Sequence, residues 1–162
     1  MKRFFRRLQF VIIAMFAVSF ASCDGGEYPS EGYFNVGETS YSINEAKLFD
    51  VGYDSESEMY QLRLTMRNTS HNDTRSINIL FYTEINNYLP SGIYTPYLYD
   101  NHFKNRFKRG AWLIGNEECG VFLTGRVHVT KTNDIYKIDI NCKDVNGVEI
   151  VGEYDGEIQV LK

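Results

Sequence analysis

Downstream of residue 31 the chain alternates apolar and polar positions at a period of two, over short runs separated by polar or glycine-rich turns. The plainest run is Met59 to Asn68. Tyr60, Leu62, Leu64 and Met66 fall on one side, and Gln61, Arg63, Thr65 and Arg67 on the other, which predicts a half-buried strand with a solvated face. Tyr33 to Val36, Gly37-Glu38 and Thr39 to Ile43 read as a tight hairpin, with glycine where a type II′ turn needs positive φ. Ala46 to Val51 is a further short strand. Ser76 to Ile85 carries Ile77, Ile79 and Phe81 on one face and Leu80 and Tyr82 on the other, so burial on both sides is expected.

The middle of the chain is irregular. Pro90-Ser91-Gly92 marks a turn, and Ile93-Tyr94-Thr95 a short strand stopped by Pro96. His102 to Arg109 (HFKNRFKR) reads as one or two helical turns, with Phe103 and Phe107 on one face. Ala111 to Ile114 is another short strand. The last third is more regular. Val121 to Thr130, a turn at Lys131-Thr132-Asn133-Asp134 and Ile135 to Lys143 form a hairpin in which Tyr136, Ile138, Ile140 and Cys142 share the inner face. Asp144-Val145-Asn146-Gly147 turns the chain again. Val148 to Val160 completes a three-stranded meander, with Gly152 and Gly156 at bulges or close strand crossings. The whole predicts one all-β domain over residues 32–162, arranged as an antiparallel two-sheet sandwich or a flattened barrel.

The first 22 residues follow a different pattern. Lys2, Arg3, Arg6 and Arg7 precede an apolar run from Phe10 to Ala21, which is short for a bilayer span and suited to a signal peptide. The run closes on Phe20-Ala21-Ser22-Cys23, which resembles the lipobox of bacterial lipoproteins. That resemblance implies cleavage before Cys23, acylation of its thiol and attachment to the outer membrane, facing either the periplasm or the cell surface. Several acyl chains on one cysteine exceed the marginal hold of a single chain. Residues 23–31 (CDGGEYPSE) then form a flexible tether.

Charge narrows the partners. The chain has 17 Lys+Arg and 21 Asp+Glu. Losing the four basic residues of the leader leaves thirteen, a net charge near −8. Such a balance argues against nucleic acid and against broad adsorption to anionic lipid. Membrane contact is expected through the lipid anchor alone. Cys119 and Cys142 remain, and a disulfide and two free thiols stay open as alternatives. The turn at Lys131 to Asp134 places Cys142 opposite Leu123 and Cys119 opposite Asn146. That is about 13 Å out of register at about 3.3 Å per residue. A bridge would need the chain to bend back near Gly120, or a bulge.

Leu89 to Thr95 (LPSGIYT), Gly125 to Ile140 (GRVHVTKTNDIYKIDI) and Asp144 to Ile158 (DVNGVEIVGEYDGEI) resemble the body pattern of small secreted Bacteroidetes-type lipoproteins. These share an "sG-Y" turn, a "G-V-V-K-(turn)-Y-I-I" hairpin and a closing "nG-I-G-Y-G-I" strand. The resemblance implies an all-β body and carries no chemistry, since fold alone does not license a function.

No catalytic constellation emerges. His71, His102 and His128 are not at ligand spacing, no H-E-x-x-H or G-x-S-x-G occurs, and adjacent Glu117 and Glu118 would point to opposite faces of a strand. No metal or other cofactor is expected. Binding is the better-supported class. Tyr94, Tyr97, Tyr99 and Trp112 belong to a run of aromatics on irregular segments, suited to sugars, peptides or a partner protein, or simply to the rim of a core. Lys104, Arg106, Lys108 and Arg109 form a basic run that could meet an acidic partner or offset the domain's own acids. The expected function is a non-catalytic, outer-membrane-anchored binding or accessory module for a glycan or envelope protein. An envelope- or glycan-directed hydrolase and a purely structural component are the alternatives.

Overall fold

A computed structural model describes residues 30–69, 75–98 and 102–161. The leader, Cys23, most of the tether, His71 and Tyr99 lie outside them. Eleven strands and no helix occur among the described residues.

β1 (Glu31–Val36) and β2 (Thr39–Ile43) form the expected hairpin, with Val36 facing Thr39 across Gly37-Glu38 and Gly37 at φ 58°. β3 (Glu45–Asp54) follows after the single residue Asn44, yet pairs with β4 (Met59–Arg67) and not with β2. Asp50 faces Leu62 and Gly52 faces Gln61, so Val51 is an extra residue and is thrown outward. Gly52 relieves the strain with φ 115°, and its N–H donates to the Asp50 carboxylate at 2.9 Å. In β4 the alternation holds: Leu62, Leu64 and Met66 are buried, while Arg63 and Arg67 are exposed.

β5 (Arg75–Thr83) buries residues on both faces at its far end, including Phe81, Tyr82 and Thr83. β6 (Gly92–Pro96) is the short strand expected before Pro96. β7 (Arg106–Ile114) replaces the expected helical turns, with Phe107 inward in a strand and Phe103 in the loop before it. Four-residue spacing of two phenylalanines is compatible with a helix. Here the backbone of Arg106 to Ile114 finds better partners in β5.

β8 (Glu117–Thr132), β9 (Ile135–Asp144) and β10 (Glu149–Glu157) form the meander, and β11 (Gln159–Leu161) closes the chain. Asn133, at φ 55°, and Asp134 make a two-residue turn, so Thr132 faces Ile135. This register differs from the expected one. Cys142 faces Gly125 and not Leu123, and Cys119 lies in the part of β8 that pairs with β7 and not opposite Asn146. Cys142 is buried as the alternation requires, Cys119 is exposed, and both thiols are free. The Asp144 carboxylate caps the next turn, accepting from the Asn146 and Val148 N–H groups at 2.8 and 2.9 Å.

The strands run in the order β11-β3-β4-β5-β7-β6-β8-β9-β10-β1-β2, in one mixed sheet curled into a half-barrel. This corrects the expected antiparallel two-sheet architecture in two ways. β11 runs parallel to β3, and β6 runs parallel to β7. The sheet also does not split, because β8 spans the place where a split would fall. Its first part pairs with β7 and its later part with β6 and β9. It bends where Leu123 is the extra residue between Phe122 and Thr124, beside Gly125 at φ 113°. A Cβ on Gly125 would lie 2.2 Å from the Asn141 carbonyl oxygen, so glycine is required at this corner.

The inner face carries one apolar cluster drawn from both ends of the sheet. Phe34, Leu48, Leu64, Ile79, Phe107, Phe122, Ile138, Ile150 and Tyr154 belong to it. Gly152 lets β1 approach, since a Cβ there would lie 3.0 Å from that of Phe34.

Candidate binding groove

Tyr82, near the end of β5, stands between two depressions. Its position follows from local backbone chemistry. Beside it the β5–β7 ladder shifts register, with Leu80 facing Arg109 and Phe81 facing Phe107, so Lys108 is the extra residue and stands at the surface, half-exposed. The segment between β6 and β7 is folded back by three backbone hydrogen bonds. Thr95 N–H donates to Asn105 O, Tyr97 N–H to Phe107 O and Arg106 N–H to Phe103 O, at 3.2, 2.9 and 3.1 Å. That return brings the Tyr97 and Phe103 rings into a stack, centroids 4.8 Å apart. Tyr82 meets both edge-on, at 5.8 and 5.0 Å.

Asp54, from the β3–β4 turn, completes the first depression. It accepts from Glu56 N–H at 3.2 Å and from the Gln61 amide at 2.7 Å, and Lys108 Nζ lies 3.7 Å away. Partial burial pushes its carboxyl pKa up. Hydrogen bonds from Glu56, Ser57 and Gln61, with the Lys108 charge, outweigh this and hold it below the ordinary value. Lys108 Nζ also sits 5.9 Å from the Tyr82 ring centroid. The space enclosed by Asp54, Glu56, Tyr82, Tyr97, Phe103 and Lys108 is about 160 Å³.

The second depression, about 300 Å³, also borders Tyr82 and is lined among others by Glu84, Tyr88, Tyr94 and Lys104. Lys104 Nζ is 3.1 Å from Glu84 Oε1. Tyr94 is buried, donates its hydroxyl to Pro90 O at 2.9 Å and stands edge-on to Phe81. Burial raises its phenol pKa above the usual range, with Tyr136 adding to the effect, so it is a fixed neutral part of the wall.

The expected binding residues are therefore divided. Tyr97 and Lys108 line the first depression, and Tyr94 and Lys104 the second. Arg106 is turned to the Thr95 hydroxyl on β6, and Arg109 pairs with Glu118 on β8. Trp112 is not on this surface. It packs against the core, and its Nε1 is buried without a hydrogen-bond partner among the described residues. The basic run is thus no single patch, since each of its four cations meets an acid or a hydroxyl of the chain itself. Asp54, Glu56 and Glu84 were legible only as polar turn and strand-end residues. Nothing in their local sequence announces that distant loops converge on them.

Elsewhere, His128 lies on the outer face of β8 with Nδ1 3.7 Å from Asp139 Oδ2, in a wide shallow depression shared with Arg126 and Glu153. The thiol of Cys142 is pushed up to about 12 by burial, against hydrogen bonds involving Arg126 and Asn141. Such a thiol is a poor nucleophile. No protein-family model, no curated protein and no solved structure matches the chain.

Proposed function

We propose that the chain is a non-catalytic binding module of the cell envelope, held at the outer membrane by lipid on Cys23 and engaging its partner through the groove around Tyr82. The carrying observation is the Tyr82–Tyr97–Phe103 cluster, which opens on a depression edged by a compensated Asp54–Lys108 pair. Rings with apolar faces and polar edges favour contact with a partly hydroxylated or peptide surface. The lipobox supports the address.

Two measurements test this. Cys23→Ser is expected to release the protein from the membrane fraction, and wild-type levels in detergent-extracted membrane would refute the anchor. Phe103→Ala is expected to abolish retention of solubilised envelope material by the immobilised full chain, with the fold intact by circular dichroism. Retention equal to wild type would refute the groove.

A further inference from the structure

We infer that the groove is a two-subsite site for a neutral sugar chain, with one ring on each side of Tyr82; this rests on the binding reading above and names its ligand class. The two depressions share Tyr82 and repeat one chemical pattern. The first pairs Lys108 with Asp54 beside Tyr97 and Phe103, and the second pairs Lys104 with Glu84 beside Tyr88. In each, an ammonium that only donates stands next to a carboxylate that only accepts. Adjacent hydroxyls of a sugar ring, each able to donate and accept, match such a couple. The carbon–hydrogen face of the ring matches the aromatic wall.

Charge narrows the ligand further. An anion would meet Asp54, Glu56 and Glu84. A cation seeking the Tyr82 ring would meet Lys108, whose ammonium already lies over it. A neutral ligand meets neither obstacle. Size points the same way. Each space is at or below the low end of the range for whole small-molecule pockets. One ring per depression fits better than a compact ligand in either. A polymer with the same unit repeated is the ligand that uses both.

The test is titration of the isotope-labelled full chain, purified as exported, with neutral oligosaccharides of one to four units. Glucose, galactose, mannose and N-acetylglucosamine series are followed by amide chemical shifts. In at least one series the disaccharide is expected to bind at least about tenfold more tightly than the monosaccharide, a free-energy gap reached only when a second ring is seated. A third unit is expected to add less than about twofold, since the proposal seats rings only in the two depressions that border Tyr82. Shifts should appear on both sides of Tyr82. Phe103→Ala and Tyr88→Ala should each return disaccharide affinity to about the monosaccharide value, with the unperturbed side still shifting. Should Phe103→Ala unfold the chain, Tyr88→Ala and Lys104→Met carry the test. Equal affinity for one and two units overturns the two-subsite arrangement. Tighter binding of tetramethylammonium or glucuronate than of any neutral sugar overturns the ligand class. Groove-dependent retention of envelope material without binding of any sugar series overturns the sugar inference and leaves the binding module standing. Loss of both overturns both.

Discussion

The meander β8–β10 and the segment from Glu84 to Arg106 are built by opposite means. In the meander, each residue of β9 has a cross-strand partner, and Tyr136, Ile138, Ile140 and Cys142 all turn inward. Nearly every side chain is committed to the core or to solvent by parity alone. Among the described residues between Glu84 and Arg106 only β6 is regular, and loops place aromatic rings that alternation cannot place. The contrast shows a division of work. The regular ladders supply stability, and the irregular segment spends part of it to hold Tyr88, Tyr97 and Phe103 half open.

The sharpest way to break the contrast is to damage both regions equally. Ile138→Ala, at a fully buried site in the meander, is expected to cost about 2–5 kcal/mol in denaturant unfolding. Phe103→Ala is expected to cost less than half as much, because its ring is only partly enclosed. Equal losses would show that the groove is part of the core. Gly125→Ala comes next. Its φ of 113° and the close Asn141 carbonyl predict a loss of about 1–3 kcal/mol, and a neutral result would mean the corner relaxes freely.

A pH experiment sharpens the same point. The Cys142 thiol has an ordinary value of 9.0 and is raised to about 12 in the fold. Above pH 9 the unfolded chain releases this proton while the folded chain keeps it, so stability falls as pH rises from about 9 toward 12. The slope is about 1.4 kcal/mol per pH unit. Cys142→Ala should flatten the profile between about pH 9 and 10, below the range in which the buried Tyr94, Tyr136 and Tyr154 add the same sign of slope, and an unchanged slope there would remove Cys142 as its cause. Alkylation of the native protein should modify Cys119 and spare Cys142 until unfolding, in keeping with their exposures.

The smallest effect belongs to Glu45. Burial raises its carboxyl pKa, but hydrogen bonds and charge from Lys47 and Arg67 outweigh this and lower it from 4.5. Its contribution is therefore present above about pH 4.5 and lost as pH falls through the lower folded value. Glu45→Gln should cost less than about 1 kcal/mol, since the group is partly solvated. A larger loss at pH 7 would contradict this.

Local signals in the sequence were read well where the chemistry was local. Gly37 and the Asp144–Gly147 turn fell where glycine and Asx geometry require, and the inward parity of β4 and β9 followed from period two. The turn at Asn133-Asp134 is two residues tighter than the expected Lys131–Asp134 turn, which moves the β8 partner of Cys142 by two positions. Parity survives such an error and register does not. The parallel pairings of β6 and β11 left no local trace, because a three-residue strand beside Lys47 to Phe49 is chosen by tertiary proximity. The same limit hid the groove. Asp54 and Lys108 are brought together by two bulged ladders, and no pattern within either strand reveals the other.

The hairpin that opens the domain has a mechanical consequence. β1 is registered along its whole length against β10 on one side and from Gly32 onward against β2 on the other, and Ser30 is tucked against Gly156. Tension applied to the chain from residue 30 outward would run along the axis of β1. It would strain both ladders in shear at once, so many hydrogen bonds would have to fail together. The opposite end differs. β11 is a three-residue strip at the sheet margin with one neighbour, so the same force there would load only a short ladder. Under the proposed N-terminal anchorage, the body would be held from its more extensively paired end.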